Sequence, residues 1–146
     1  MESLVKRLPA RYRDTTEVFD VVVMTQSCDL VNDKIQEVIL CPHWDLNKAS
    51  QVDVSLAKRN TQQAVLKGQQ YRYAMLDMSN DAALPMGIRI VDLGRVFSLP
   101  KAFVGQFAAK QGKRLRLCPP YREHLSQSFA RFFMRVGLPQ DIELPA

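Results

Sequence analysis

The sequence predicts an α+β fold in which a small antiparallel, barrel-like sheet is packed by two or three helices. Short runs rich in β-branched residues, at 19–26 and 36–41, are separated by turn-forming residues. The last quarter of the chain instead carries apolar residues at helical spacing. We predict one globular domain at 18–139, with a poorly ordered arm or edge segment at 1–17 and a tail at 140–146.

Two strands are predicted to form an antiparallel hairpin near the start of the domain. The strand at 19–26 is followed by Asn32 and Asp33, whose side chains favour turns. The second strand, 36–41, is expected to stop at Pro42, which lacks an amide donor.

The middle of the chain is predicted to hold a broken helix and further strands. The helical stretch runs between Asn47, a candidate N-cap, and Gly68, a candidate C-terminal residue. Strands are predicted at 71–76 and 87–92, and residues 95–97 continue or pair with the second of them.

Two helices are predicted in the C-terminal part of the chain. Ser98 is a candidate cap for a helix that ends at Gly112. The final helix, 120–136, follows a proline pair, which suits a first turn whose amides are unbonded. Its predicted buried stripe consists of Tyr121, Leu125, Phe129, Phe132 and Val136.

The chain carries a net charge of +5, and the positive excess is concentrated between residues 110 and 135. A basic face attracts phosphate backbones, and the ordinary alternative is a solvated surface that keeps the protein soluble. No apolar run approaches the ~20 residues of a membrane helix, and the N-terminus lacks a hydrophobic signal region. We therefore expect a cytoplasmic protein without membrane contact.

Cysteine and histidine are too sparse to indicate a metal or cofactor site. The three cysteines are widely spaced, which argues against a disulfide framework and offers no Cys-x-x-Cys pair. The two histidines, His43 and His124, are far apart in the sequence. We therefore predict no bound metal and no cofactor.

The segment TQSCD is the first predicted site. It places two hydroxyls, an amide, a thiol and a carboxylate after a hydrophobic strand, on Thr25, Gln26, Ser27, Cys28 and Asp29. Cys28 is a candidate nucleophile if a base or a positive charge lies close to it, and Asp29 is a candidate functional carboxylate. The alternatives are an inert, buried thiol and an Asp29 that, with Thr25, organises the turn.

His43 and Trp44 form a second candidate site. They follow the second strand, where a general base would lie beside an aromatic platform for a nucleobase; the alternative is a loop with a half-buried tryptophan. We predict that residues 25–29 and His43-Trp44 border one pocket. The hairpin register places His43 near Phe19, so this convergence requires a curved sheet or a different strand order.

Arginines supply the candidate nucleic-acid contacts. Arg72 alternates with Tyr71 and Tyr73, an arrangement that suits base stacking or phosphate contact, or else ordinary barrel packing. An extended piece and the last helix add a candidate phosphate cradle of Arg114, Arg116, Arg131 and Arg135. In the rival arrangement, these arginines are paired with the acidic residues Glu123, Asp141 and Glu143.

Three segments resemble a widespread prokaryotic family of uncharacterised proteins: VVVMTQSCDLVNDKIQEVILCP at 21–42, IRIVDLGRVFSLP at 88–100 and RLRLCPPYREHLSQSFARFFMRVGLP at 114–139. The chain also resembles PemK/MazF-type toxins more distantly, in the order of its elements. These are a hydrophobic strand, a loop, a strand ending in Cys41-Pro42, a strand with Asp between hydrophobic residues, and a terminal helix. That resemblance implies an SH3-like barrel and RNA cleavage. His43 stands where those toxins usually have a catalytic Ser or Thr.

The resulting hypothesis is a small, basic, PemK-like barrel protein that associates with RNA or DNA. It would be an RNA-cleaving toxin relative or a component of a toxin–antitoxin or defence system. One alternative is a non-catalytic module that binds a protein partner or forms a homodimer. A second is a thiol-dependent enzyme that uses Cys28. The sequence does not decide whether the protein is an enzyme.

Overall fold

A computed structural model describes residues 18–134, so the predicted arm at 1–17, the tail at 140–146 and the end of the last predicted helix, with Val136, lie outside the described residues. Within 18–134 the chain forms five strands, five α-helices and one 3₁₀ helix. In chain order they are β1 (Asp20–Val23), α1 (Ser27–Val31), β2 (Glu37–Asp45), α2 (Leu46–Val52), the 3₁₀ helix (Val54–Ala57), α3 (Arg59–Leu66), β3 (Tyr73–Leu76), β4 (Arg89–Asp92), β5 (Phe97–Pro100), α4 (Lys101–Gln111) and α5 (Tyr121–Phe133).

Strand β2 is the centre of one antiparallel sheet. It has β1 on one side and both β4 and β5 on the other, since Leu40 pairs with Val23 of β1 and with Phe97 of β5. Strand β3 pairs with β4, which gives the order β1–β2–β4–β3. The predicted hairpin of the first two strands is confirmed, and its register places His43 opposite Asp20 at the start of β1.

Pro42 does not stop β2, so this part of the sequence prediction was wrong. The pairing of β2 with β5 ends at Leu40, and its pairing with β4 begins at His43. The β2 residues 41 and 42 therefore lie between the two pairings, next to residues 93–96, which connect β4 to β5. A proline cannot donate to a ladder, and it is tolerated where the neighbouring strand is interrupted.

Helices cover both faces of the sheet. On one face, Cys41 and Val91 belong to a core cluster with Leu125 of α5. On the other face, Ile90 belongs to a second cluster with residues of α2, the 3₁₀ helix and α3, among them Leu56. The two clusters are separate because consecutive strand residues, such as Ile90 and Val91, point to opposite faces.

The broken helix predicted after β2 is present, although one cap differs from the prediction. Asp45 caps α2 in place of Asn47, because its Oδ1 accepts a hydrogen bond from the backbone N–H of Lys48 at 2.9 Å. Gly68 follows α3 with a φ of 66°, a left-handed conformation that glycine adopts freely, so this predicted helix end is confirmed. Ser98 lies within β5 and does not cap α4.

The α+β class is confirmed, and the sheet is open. Within 18–134, β1 and β3 lie at the two ends of the strand order and do not pair with each other. The described strands therefore leave the SH3-like barrel a prediction. No helix in this part of the chain is long and apolar enough to cross a membrane; the longest, α5, has 13 residues.

Helix α5 packs most of its predicted stripe against the sheet. Leu125 is 6% exposed, and Phe129 and Phe132 are half-buried against the same core cluster. Tyr121 is 64% exposed, so its place in the buried stripe was wrong; its ring contacts that of His124, with centroids 6.4 Å apart.

Helix α4 has an apolar face that the described residues do not cover. The rings of Phe103 and Phe107 stack with centroids 6.5 Å apart, and the two residues are 47% and 53% exposed. The helix is attached at its first residue, since Lys101 Nζ donates to the carbonyl of Leu30 and to Asp33 Oδ1, each at 2.6 Å. Helix α4 therefore presents aromatic surface to solvent.

Leu125→Ala should destabilise the protein by roughly 2–5 kcal/mol, because a buried aliphatic side chain is replaced by a cavity. Tyr121→Ala is the matched control on the same helix, and its exposure predicts a change within about 0.5 kcal/mol. Urea unfolding followed by circular dichroism measures both variants. Equal unfolding midpoints would show that this face of α5 does not pack on the sheet.

Candidate nucleic-acid interface

The predicted TQSCD site lies at the start of the short helix α1. Thr25 has a structural role, because its Oγ1 accepts a hydrogen bond from the backbone N–H of Ile39 at 2.8 Å. Cys28 is exposed, and its Sγ lies 3.5 Å from Gln26 Oε1 and 3.8 Å from Asp29 Oδ1. These neighbours are hydrogen-bond acceptors, whereas a reactive cysteine needs a cation or a base to form its thiolate.

Cys28 and His43 lie toward opposite ends of the β1–β2 pair. His43 is paired with Asp20 at the start of β1, whereas Cys28 follows the end of that strand. The length of β1 alone separates the two ends by about 10 Å. The single pocket predicted for both segments is therefore not formed, and neither is a Cys28–His43 catalytic pair.

His43 belongs instead to a charged cluster. Arg89 donates from Nη2 to Asp20 Oδ2 at 2.7 Å, so an ion pair joins β4 to β1 across the β2 position of His43. Burial lowers the pKa of His43 below its ordinary value of 6.5; Arg89 lowers it further, and Asp20 opposes this. The Nδ1 of His43 and the Nε of Arg89 are buried without a hydrogen-bond partner in the described structure. His43 therefore stays neutral over a wider pH range than an ordinary histidine, and the neighbouring guanidinium disfavours its protonation.

Trp44 points to the opposite face of the sheet from His43, because the two are consecutive residues of β2. Its ring centroid lies 5.9 Å from that of Phe19, which stacks on Phe97 at 5.5 Å. The guanidinium carbon of Arg95 lies 5.2, 5.7 and 5.9 Å from the centroids of Phe19, Trp44 and Phe97. The predicted aromatic platform is therefore present, but the predicted general base does not lie beside it.

A buried carboxylate anchors Arg72. Asp92 is 6% exposed, and its two oxygens accept hydrogen bonds from Nε and Nη2 of Arg72 at 3.1 and 3.0 Å. Asp92 Oδ1 also accepts from the backbone N–H of Gly94 at 3.0 Å. The two-point contact fixes the guanidinium of Arg72, while its side chain remains 57% exposed.

Arg131 of α5 lies beside the segment that leads into β3. A shallow depression is lined by Gly68, Gln70, Tyr71, Tyr73, Ser128 and Arg131. Arg131 Nη1 would lie 3.7 Å from a Cβ atom at Gly68. Tyr71 is 44% exposed, whereas Tyr73 is buried and its hydroxyl donates to Asp53 Oδ2 at 3.0 Å. The structure thus brings together Tyr71 and Arg131 around one depression, and Arg72 follows Tyr71 in the chain.

The other predicted phosphate contacts do not join this group. Arg114 and Arg116 lie on the exposed segment between α4 and α5, and Arg114 donates to the carbonyl of Ala108 in α4. Neither of them lines the depression at Arg131, and Arg135 lies outside the described residues, so the four-arginine cradle remains a prediction.

Of the acidic residues in the rival charge network, only Glu123 lies within the described residues. Glu123 pairs with its neighbour Arg122, with 2.6 Å between Oε1 and Nη2. Asp141 and Glu143 lie outside the described residues. Arg131 is therefore not neutralised by Glu123.

Comparisons of the chain with protein-family models, with curated proteins and with solved structures found no match. The resemblances stated above therefore remain predictions, and function has to be inferred from the arrangement of side chains. Sequence reasoning missed Phe19, Arg95 and Phe97 as one group, and it also missed the Asp20–Arg89 pair. No local pattern reveals either group, because their members meet only through the pairing of distant strands with β2.

We expect the free energy of unfolding to fall as the pH is lowered through 6.5, the ordinary pKa of a histidine. Below pH 6.5 the His43 imidazole of the unfolded chain binds a proton, whereas in the folded protein its lowered pKa disfavours protonation. Well above pH 6.5 His43 is neutral in both states, so it no longer affects stability. Urea unfolding at pH 7.5 and 5.5 measures the change. A His43→Gln variant should lose part of this pH dependence, and His124→Gln, at an exposed position, is the comparison variant. Identical pH dependence in all three proteins would contradict the assignment.

A thiol-reactive disulfide reagent should modify Cys28 and Cys118 in the folded protein, because both are exposed. Cys41 should react only after unfolding, since burial, with a smaller effect of Asp92, raises the pKa of its thiol to about 11. Mass spectrometry of tryptic peptides assigns the modified sites. Rapid modification of Cys41 in the folded protein would show that the core around β2 is open.

Proposed function

We propose that the protein binds nucleic acid through the Arg131 surface, defined as Tyr71, Arg72, Ser128 and Arg131. The observation that carries this proposal is the position of Arg131 on α5 next to Tyr71, which precedes β3. The two are far apart in the sequence, and the packing of α5 on the sheet places them around one depression. Basic and aromatic groups then share an exposed surface, which is the combination that binds phosphate and base together.

Each side chain of the Arg131 surface has a distinct chemical role in this proposal. Arg131 offers a planar guanidinium to phosphate oxygens, and Tyr71 offers a half-exposed ring on which a base can stack. The charge of Arg72 is largely balanced by Asp92, so Arg72 contributes fixed hydrogen-bond donors more than net charge. Arg131 is therefore the main source of electrostatic affinity.

RNA cleavage is a separate proposal, which the resemblance to PemK/MazF-type toxins implies together with an SH3-like barrel. The occurrence of His43 next to the Asp20–Arg89 ion pair supports it, since an imidazole can transfer a proton and a guanidinium stabilises developing negative charge. A role in a toxin–antitoxin or defence system would follow only from such an activity. Incubation of RNA with the wild-type protein and with His43→Gln, followed by a denaturing gel, tests cleavage; RNA that stays intact with the wild type argues against it.

Arg131→Ala should weaken the binding of a short, labelled oligonucleotide by roughly fivefold to tenfold at low salt. It should also reduce the slope of log K against log salt concentration by about 1, the share of one phosphate contact. Tyr71→Ala should weaken binding without changing this slope, because its ring carries no charge. Fluorescence anisotropy at several salt concentrations measures both effects.

Arg59→Ala is the matched control, because Arg59 is an exposed arginine at the start of α3, outside the Arg131 surface. Thermal melts establish that the variants remain folded. The proposal fails if the wild-type protein binds neither RNA nor DNA at low salt. It also fails if Arg59→Ala and Arg131→Ala weaken binding equally, since binding would then follow net charge alone.

A protein-interaction module is the second candidate function. It is favoured by the stacked and exposed rings of Phe103 and Phe107 on α4, a surface that a protein partner or a second copy of the chain would bury. Analytical ultracentrifugation tests the homodimer directly. A thiol-dependent enzyme gains no support from the contacts of Cys28, which are with Gln26 and Asp29.

A further inference from the structure

We propose that the nucleic-acid interface continues past Gly94 onto a second site, the Arg95 cluster, where an unstacked nucleobase lies against the guanidinium of Arg95. The Arg95 cluster is defined as Phe19, Trp44, Arg95 and Phe97. This inference rests on the proposed function and adds to it the class of ligand, a nucleic acid with unpaired bases.

The Arg95 cluster combines an exposed cation with half-buried rings. Arg95 is exposed, whereas Phe19, Trp44 and Phe97 are half-buried. Its guanidinium carbon lies within 5.9 Å of all three ring centroids, a distance at which a guanidinium is attracted to an aromatic face. The rings therefore hold a planar, charged group at the surface in a defined position.

A guanidinium held in this way is suited to a flat, polarisable ligand. Every nucleobase has a π face that stacks on aromatic rings and on arginine planes, and this contact does not depend strongly on the base. Because the rings already restrict Arg95, less side-chain freedom is lost when a base binds. In a duplex the base faces are covered by their neighbours, so the Arg95 cluster should discriminate in favour of single strands.

The Arg95 cluster and the Arg131 surface are continuous through Asp92 and Gly94. The carboxylate of Asp92 holds Arg72, and its backbone carbonyl accepts a hydrogen bond from the N–H of Arg95 at 3.2 Å. A Cβ atom at Gly94 would lie 3.6 Å from Arg72 Nε, so the residue that precedes Arg95 lies next to the Arg72 side chain. A nucleic-acid single strand that is bound at Arg131 and Arg72 would therefore extend to Arg95.

The single tryptophan of the chain makes this site directly observable. Trp44 is the only tryptophan and belongs to the Arg95 cluster, so its fluorescence reports ligand binding there. We expect a single-stranded oligonucleotide to change Trp44 emission over the same concentration range in which anisotropy detects binding. The same sequence as a duplex should bind roughly tenfold more weakly, the effect of losing one base stack. RNA and DNA single strands serve as parallel probes.

Two variants separate the contribution of the Arg95 cluster from that of the Arg131 surface. Arg95→Gln removes the charge at an exposed position, and Phe97→Leu removes a ring while retaining apolar volume. Each should lower single-strand affinity several-fold. Phe97→Leu should leave duplex affinity unchanged, whereas Arg95→Gln also loses a charge and should lower duplex affinity by a smaller factor than single-strand affinity. Phe103→Leu is the matched control, an exposed phenylalanine on α4 outside both surfaces. Circular dichroism melts show that the variants fold, and Arg95→Gln remains informative if Phe97→Leu does not.

The outcomes distinguish this inference from the proposed function. Binding seen by anisotropy, with no change in Trp44 emission and equal affinity for single strands and duplex, would overturn the inference and leave the Arg131 surface in place. No anisotropy change with any oligonucleotide would overturn both. A loss of affinity in Phe103→Leu equal to that in Arg95→Gln would also overturn the inference, because the effect would not be specific to the Arg95 cluster.

Discussion

The buried carboxylate of Asp92 is the interaction on which the candidate interface depends. A charge that is 6% exposed is costly unless it is paired and hydrogen-bonded. Arg72 and the backbone N–H of Gly94 meet this need. The same contacts hold together the start of β3, the end of β4 and the turn toward Arg95. Because losing one partner would leave a buried group unsatisfied, the guanidinium of Arg72 and the path of the chain after β4 are fixed together.

The turn that follows β4 is possible because the pairing along β2 is interrupted between Leu40 and His43. Strands β4 and β5 lie on the same edge of β2, and residues 93–96 connect them beside Cys41 and Pro42. Arg95 belongs to this connection, and its guanidinium lies over the rings of Phe19 and Trp44. In a continuous β-ladder, residues 93–96 would instead be paired with β2 as regular strand residues. Pro42, which cannot donate to a neighbouring strand, and the exposed Arg95 therefore belong to the same interruption of the sheet.

Strand alternation separates two kinds of chemistry at the same end of the sheet. Asp20, His43 and Arg89 share one face, where proton transfer and charge pairing are possible. Trp44 and Phe19 share the other face, where flat ligands can stack. A ligand that is stacked on Trp44 and Phe19 therefore lies on the opposite face of the sheet from His43. This separation favours binding as the role of the aromatic face and leaves any catalysis to the charged face.

The sequence by itself determined the α+β class, the β1–β2 hairpin, the broken helix after β2 and most of the buried stripe of α5. These follow from local periodicity, turn residues and caps, which act over a few residues. The predicted pocket of Cys28 and His43 failed because strand register places their segments toward opposite ends of β1. The four-arginine cradle remains a prediction, since Arg114 contacts Ala108 of α4 and Arg135 lies outside the described residues. Only the tertiary structure decided that Arg131 would lie beside Tyr71, and that Arg95 would lie among Phe19, Trp44 and Phe97. The physical reason is that such neighbours are chosen by long-range strand pairing and by the packing of α5 on the sheet, and neither leaves a periodic signal in the chain.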